Sequence, residues 1–297
     1  MQLDTIIVGG GFAGLAAATY LGRARRHVVV FDTGSPRNRF AAASHGFLGQ
    51  DGIAPSTILG TAQEQLRSYP TVAVTKAEAS EARVQEDHFS VCTTNGDQLE
   101  ARKLILAFGL RDAIPSITGL EERWGATVLH CPYCHGFEFS SRPLGVLYCS
   151  EASIHQSLLI PEWGPTTLFL NGNPLMTEHV ELLEQRGVAI EPEPVVKLEG
   201  EGLALSSVTL ANGSNREIEA LYLVPQSRFS SPLAEQLGLD IEQVVLGPMI
   251  CTDEHKMSSV NGVYAAGDIA RSPHSVSWAV ADGVTAAIAT HRALVFG

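Results

Sequence analysis

The stretch that most restricts the folds open to this chain is Gly9-Gly10-Gly11-Phe12-Ala13-Gly14. It follows the run Thr5-Ile6-Ile7-Val8 and leads into the alanine-rich segment from Leu15 to Leu21. The order reads as a buried strand, a tight turn and a helix. Gly9 permits the turn, Gly11 lets a diphosphate approach the backbone, and Gly14 lets helix and strand pack closely. A diphosphate would rest on the unpaired N–H groups and positive dipole end of that helix, with Phe12 and Ala13 in the contacting turn. Val28 to Phe31 reads as the next strand, and Asp32 ends it about 20 residues on, where a carboxylate takes ribose hydroxyls.

Strand, helix and all-apolar strand in succession imply parallel pairing, because the crossover helix covers one sheet face. Further strands are predicted at Phe89 to Thr93, Lys103 to Ala107, Leu144 to Leu147, Thr167 to Leu170, Val208 to Leu210 and Leu221 to Val224. Helices are predicted at Pro55 to Ser68, Ser153 to Ile160, Thr177 to Gln185 and Ser275 to Arg292. Two Pro-punctuated stretches, Leu110 to Gly119 and Pro225 to Pro232, read as connections. The middle third would then be inserted into a first domain that resumes near the C-terminus.

With 297 residues, 45% apolar and 18% charged, the chain can bury a sizeable core. No apolar run approaches the ~20 residues of a membrane span. The opening Met1-Gln2-Leu3-Asp4 does not resemble a secretory signal, so no membrane association and a cytoplasmic location are expected. A net charge of -12 argues against nucleic acid as a partner. Five cysteines, an odd number, fit a reducing compartment.

Two of those cysteines stand in Cys131-Pro132-Tyr133-Cys134-His135-Gly136. Thiols at this spacing can close a small disulfide ring, and a lowered thiol pKa supplies the attacking thiolate. Metal binding is the competing reading, with His130 and His135 as possible extra ligands. A structural zinc site wants four ligands, however, and no second CxxC or HxxxH occurs, so no metal is expected. Cys92, Cys149 and Cys251 read as small buried apolar residues.

The glycine turn, the CxxC in the middle third and the late Ala266-Gly267-Asp268 together resemble the low-molecular-weight thioredoxin reductase family over essentially the whole chain. Gly262 to Asp268 resembles the second FAD fingerprint of such flavoproteins, in which the Asp binds the ribitol chain. Ala107-Phe108-Gly109 resembles their Ala-Thr-Gly element, with Phe108 in place of Thr. The resemblance implies an α/β fold: two Rossmann-like dinucleotide-binding domains of three-layer ββα type, the second inserted in the first. The FAD domain would be 1–112 with 233–297, and the redox domain 116–230. FAD contacts are implied at Gly9, Gly11, Phe12, Ala13, Gly14, Asp32, Arg39, His45, Ala107, Gly109, Gly267, Asp268 and Ser275. Cys134 would face the flavin and Cys131 would be the outward nucleophile. His135 takes the place of the family's acid and could shuttle a proton near neutral pH. A homodimer is implied, with a thioredoxin-like protein or a small dithiol or disulfide as substrate.

The middle domain departs from the family. After the strand Leu144 to Leu147, Tyr148 and Ser150 stand where glycines are expected, and Glu151 adds a negative charge. A Cβ at those places would strain the turn or obstruct a pyrophosphate. No Lys or Arg occurs from Pro165 to Glu184 to take a 2′-phosphate. NADPH binding is therefore not expected. The function expected first is an FAD-dependent disulfide oxidoreductase working through Cys131–Cys134 without NADPH. Its donor would be ferredoxin, another electron-carrier protein or a second FAD in the vacated site, stacked on Tyr148. The acidic net charge sits awkwardly with ferredoxin, and Arg23, Arg25, Arg26, Arg37 and Arg39 are the only dense basic cluster. The first alternative is a dithiol oxidase of the gliotoxin type, which the Cys-His-Gly pattern resembles. The second is an NADPH-dependent thioredoxin reductase. The family's Arg-Gln before the last helix becomes His274-Ser275, and Trp278 reads as a core residue.

Overall fold

Alternation along a few strands sets the architecture. Ile6, Val8, Leu104, Leu106, Val263 and Ala265 point into one apolar cluster, while Ile7, Ile105, Tyr264 and Ala266 point into another. A strand whose odd and even residues are both buried lies inside a sheet covered on both faces. The computed structural model describes residues 3–297, and Met1 and Gln2, which begin the segment read as lacking a secretory signal, lie outside the described residues.

The chain forms two units. The first comprises the residues up to Arg39, Phe47–Arg111 and Ser227–Gly297; the second comprises Phe40–Gly46 and Asp112–Gln226.

In the first unit the strand Leu3–Val8 runs parallel to Val28–Asp32 on one side and to Gln98–Leu106 on the other. Val72–Lys76 extends the sheet beyond Val28–Asp32. Gln98–Leu106 changes partners along its length. Its first residues pair antiparallel with Phe89–Thr93, and Leu104 to Leu106 pair parallel with Val263–Ala265. The hairpin partner Ala79–Val84 closes that edge. One face is covered by the helices Phe12–Arg23, Pro55–Leu66 and Val276–Phe296, which supply Leu15, Ala17, Leu59, Ala286 and Ala287 to the core.

In the second unit five parallel strands follow the order Ala189–Glu191, Thr166–Phe169, Leu144–Leu147, Ala220–Leu223, Val128–Leu129. The helices Ala152–Leu159 and Thr177–Gln185 make the crossovers. Leu147, Phe169 and Leu221 pack on one face with residues of the antiparallel meander Val195–Glu199, Ser207–Leu210 and Asn215–Glu217. Val146, Leu168 and Tyr222 pack on the helical face. Each unit is therefore a Rossmann-like three-layer domain, as the resemblance implies.

The stretches read as connections each carry a short strand, Leu110–Ala113 and Gln226–Phe229. Trp278 is corrected: it is 42% exposed, with the Arg271 guanidinium 4.9 Å over its ring. The C-terminal helix buries its small residues, Ala279, Gly283, Ala286 and Ala287, and its large rings face outward. Among the described residues no helix is long and apolar enough to cross a membrane.

Candidate active site

Cys131 is the N-cap of a single helical turn, Pro132–His135, with extended backbone (φ -112°, ψ 115°). Pro132 suits the first helical position because its ring fixes φ there and no N–H is wasted. The turn brings the two thiols together, Sγ to Sγ 2.6 Å. A buried Gln156 donates from Nε2 to the His130 carbonyl at 2.8 Å and anchors the chain just before Cys131.

The two thiols are unequal. Cys131 is lowered from 9.0 to about 7 because Cys134 donates to its sulfur and the N–H groups of Cys134 and Tyr133 point at it. Cys134 is pushed strongly up, first by that same hydrogen bond, then by burial and by the charges of Cys131 and Glu138. A thiolate at Cys131 beside a thiol at Cys134 is the state this geometry favours near neutral pH. Burial pushes Cys149 up to about 11, which keeps it inert.

Around the pair stand groups of the same unit. His135 is held below its ordinary value by burial, against the pull of Glu138, with His45 pushing the same way as burial. His45 packs edge-on against His135, ring centroids 6.3 Å apart, and its Nε2 lies 3.4 Å from Glu138 Oε1. The Tyr222 hydroxyl donates to the His135 carbonyl at 3.3 Å. Gly136 lies so near Trp163 that a Cβ would fall 2.6 Å from the indole nitrogen, and Tyr133 meets the same indole edge-on at 5.6 Å. Glu138 is the residue the sequence reading missed; only its position four residues beyond Cys134 signals it.

The glycine turn of the first unit fits a dinucleotide. Gly9 has φ +115°, and a Cβ there would fall 2.2 Å from the Ala107 carbonyl oxygen. A Cβ on Gly14 would fall 1.8 Å from the Gly9 oxygen, whereas one on Gly11 would meet nothing within 4 Å. Gly9 and Gly14 are thus demanded by the fold, and Gly11 leaves open space over the first turn of Phe12–Arg23. No side chain caps that helix start, so its first N–H groups are available to an anion. Asp32 accepts from the Gly34 N–H at 2.8 Å and from Gln63 Nε2 at 3.0 Å, beside a cavity of ≈420 Å³ that also touches Arg67 and Lys76. Gly10, not singled out in the sequence, must lack a side chain because a Cβ would fall 2.3 Å from Asp32 Cγ.

The remaining expected FAD residues divide. Ala107 donates its N–H to the Val8 carbonyl, Gly109 takes φ +76°, and Gly267 takes φ +79°, where a Cβ would fall 3.1 Å from Ala13 Cβ. Ser275 caps the last helix by accepting from the Trp278 N–H at 3.1 Å. Asp268 is held by Arg37 at 2.9 Å, and the same Arg37 nitrogen lies 2.8 Å from His274 Nδ1. Arg39 Nη1 donates to the Pro36 carbonyl at 3.1 Å. His45 is placed in the second unit, against His135 and Glu138. Among the described residues no cluster of three or more His, Cys, Asp or Glu could hold a metal ion.

The turn after Leu144–Leu147 is not strained by its side chains. Neither Tyr148, Ser150 nor Glu151 has a positive φ, so glycine is not needed there. Ser153 Oγ accepts from the Cys149 and Ser150 N–H groups, and Glu151 is occupied by the Tyr148 hydroxyl (2.8 Å) and His179 (3.7 Å). The helix Ala152–Leu159 starts without a side-chain cap.

Residues 3–160 match the family model described as pyridine nucleotide-disulphide oxidoreductase. The chain belongs to that family. Its low-molecular-weight thioredoxin reductase members include close relatives. The thioredoxin reductase sirT of Leptosphaeria maculans is 31% identical over 301 residues, 95% of this chain and 91% of that protein. The thioredoxin reductase tcpT of Claviceps purpurea is 31% identical over 285 residues, 90% and 86% of the two chains. The crystal structure of an oxidoreductase from Agrobacterium tumefaciens superposes with a TM-score of 0.94 at 41% identity, covering 100% and 99%. The chain is an FAD-dependent disulfide oxidoreductase of thioredoxin reductase type.

Family membership corrects the expectation that NADPH is not used. The pyridine-nucleotide match runs through the turn that looked degenerate, Tyr148 to Glu151. Of its grounds, backbone strain fails, since the turn takes no positive φ, and Glu151 is engaged by the Tyr148 hydroxyl and His179, while the stretch from Pro165 to Glu184 does lack Lys and Arg. A ferredoxin donor, a second FAD on Tyr148 and the gliotoxin-type dithiol oxidase fall with it, since the relatives are thioredoxin reductases.

Proposed function

We propose that the chain is an NADPH-dependent reductase of disulfides, with a thioredoxin-like protein or a small disulfide as substrate. The inequality of the two thiols carries this reading: Cys131 drawn down to about 7 beside a protonated Cys134 is the pair a dithiol reductant needs. The FAD-holding residues are Gly9, Gly11, Phe12, Ala13, Gly14, Asp32, Ala107, Gly109, Gly267 and Asp268, within 1–112 and 233–297. Residues 116–230 carry the redox pair and take NADPH, where the start of Ala152–Leu159 and the carboxyl ends of the parallel strands form the dock usual for open α/β sheets. A homodimer belongs to the same proposal.

Bound FAD would supply the route by which two electrons from NADPH reach the Cys131–Cys134 disulfide. The reduced pair then does its own chemistry. The Cys131 thiolate attacks a substrate sulfur, forming a mixed disulfide and releasing one substrate thiolate. Cys134 loses its proton and attacks Cys131 Sγ, which restores the protein disulfide and releases the second thiolate. His135, next in sequence to Cys134 and held below its ordinary value by burial, serves as base for the Cys134 proton, and the released thiolate takes that proton up. Two electrons leave the dithiol, two enter the substrate disulfide, and charge balances.

Stopped-flow mixing of the FAD-loaded protein with NADPH and then with oxidised thioredoxin tests the proposal. Substrate thiols should appear in step with NADPH consumed, and Cys134→Ser should abolish turnover. NADPH consumption with no thiol product from thioredoxin or a small disulfide would overturn it.

A further inference from the structure

His45 and Glu138 meet beside the redox pair although 93 residues separate them in sequence. The contact is 3.4 Å between His45 Nε2 and Glu138 Oε1, with side-chain exposures of 23% and 39%. A pair this accessible adds little to stability, because water screens it. Its value lies in what it faces. His45 stands edge-on to His135, 6.3 Å between centroids, and Glu138 lies on the turn that directly follows Gly136. The titratable groups facing this spot are Cys131, Cys134, His135, His45, Glu138 and Tyr222. Tyr222 is buried and donates to the His135 backbone, so it fixes the turn while its phenol stays protonated.

We propose that Glu138 and His45 form a positioning pair for His135: Glu138 anchors His45, and together they hold the imidazole of His135 as the temporary seat of the proton that leaves Cys134. The inference rests on Cys131–Cys134 being the working couple. In the exchange, the Cys134 S–H bond breaks and a His135 N–H bond forms. The Glu138 carboxylate stabilises the resulting imidazolium, and the leaving substrate thiolate then takes the proton from His135. Glu138 and His45 thus act through His135 rather than on the reacting sulfurs themselves.

The two partners act on His135 in opposite directions, which gives the pair a signature. Glu138 raises the His135 pKa and also that of Cys134, whereas His45 lowers that of His135. Imidazole NMR titration of the full FAD-loaded chain, labelled at histidine, reads this directly. In Glu138→Gln the His135 midpoint should move to lower pH, and in His45→Gln to higher pH, with Glu138→Asp restoring much of the original value. Single-turnover disulfide reduction at pH 7 should fall about tenfold in Glu138→Gln, less than the ~100-fold typical of losing a general acid–base group outright. A purely structural role would lower the melting temperature and leave the His135 midpoint in place. An unmoved midpoint in both variants, or movement in the same direction, overturns the inference. The underlying reading is checked separately by counting thiols after anaerobic NADPH: if the wild-type pair takes up no electrons, that reading fails whatever His135 does.

Discussion

Gly283 of the last helix rests on the backbone of Ala13, so that a Cβ at position 283 would fall 2.1 Å from the Ala13 carbonyl oxygen. The C-terminal helix is thereby clamped to the first turn of the helix that follows the glycine run. A mid-helix Gly→Ala change ordinarily gains about 0.5–1 kcal/mol. Here the sign should reverse. Gly283→Ala must push two packed backbones apart, at a cost of about 1–3 kcal/mol. Thermal unfolding should show a lowered melting temperature and the purified protein should carry less FAD.

Gly11 and Gly14 should separate folding from cofactor binding. Gly14→Ala places a Cβ 1.8 Å from a carbonyl oxygen and should yield little folded protein. Gly11→Ala meets no protein atom within 4 Å, so the chain should fold normally while FAD binds more weakly. Circular dichroism and flavin content, measured on both variants, check the contrast.

Cys131 should alkylate in the reduced protein with a pH midpoint of about 7. Below that pH the thiolate fraction, and with it the rate, falls about tenfold per pH unit. The first cause of the lowering is the hydrogen bond donated by Cys134, so Cys134→Ala should move the midpoint up toward the ordinary thiol value. Iodoacetamide labelling followed by mass spectrometry at Cys131 reads both numbers.

Asp282 is buried between two cations, Lys256 Nζ at 3.0 Å and Arg271 Nε at 2.8 Å. Removing its charge leaves those cations facing each other with 15% and 24% of their side chains exposed. Breaking such a pair costs about 3–5 kcal/mol when fully buried, and partial exposure brings the expected loss for Asp282→Asn to about 2–3 kcal/mol. Urea unfolding should show it as a lower midpoint.

The sequence reveals the parts of this molecule that depend on local residue order. The glycine run before Phe12–Arg23, the β-branched strand at Val28 and the CxxC each declare themselves, because turn geometry and ring closure are short-range demands. The strand Val72–Lys76 escapes notice because it lies at a sheet edge with most of its residues exposed, leaving no alternation to read. Glu138 and His45 escape as a pair because only the fold brings them together. The Tyr148 turn misleads for a different reason: backbone strain calls for glycine where φ is positive, and this turn is built without a positive φ. Whether glycine is required follows from dihedral angles and from the atoms a Cβ would meet, as at Gly9 and Gly14, which the residue types alone do not reveal.

The most direct measurement is an anaerobic titration of the FAD-loaded protein with NADPH, followed by differential labelling of thiols. The flavin absorbance should bleach and Cys131 and Cys134 should both become free thiols as NADPH is consumed, with Cys92, Cys149 and Cys251 unchanged. A flavin that stays oxidised in excess NADPH, with Cys131–Cys134 still closed, would contradict it.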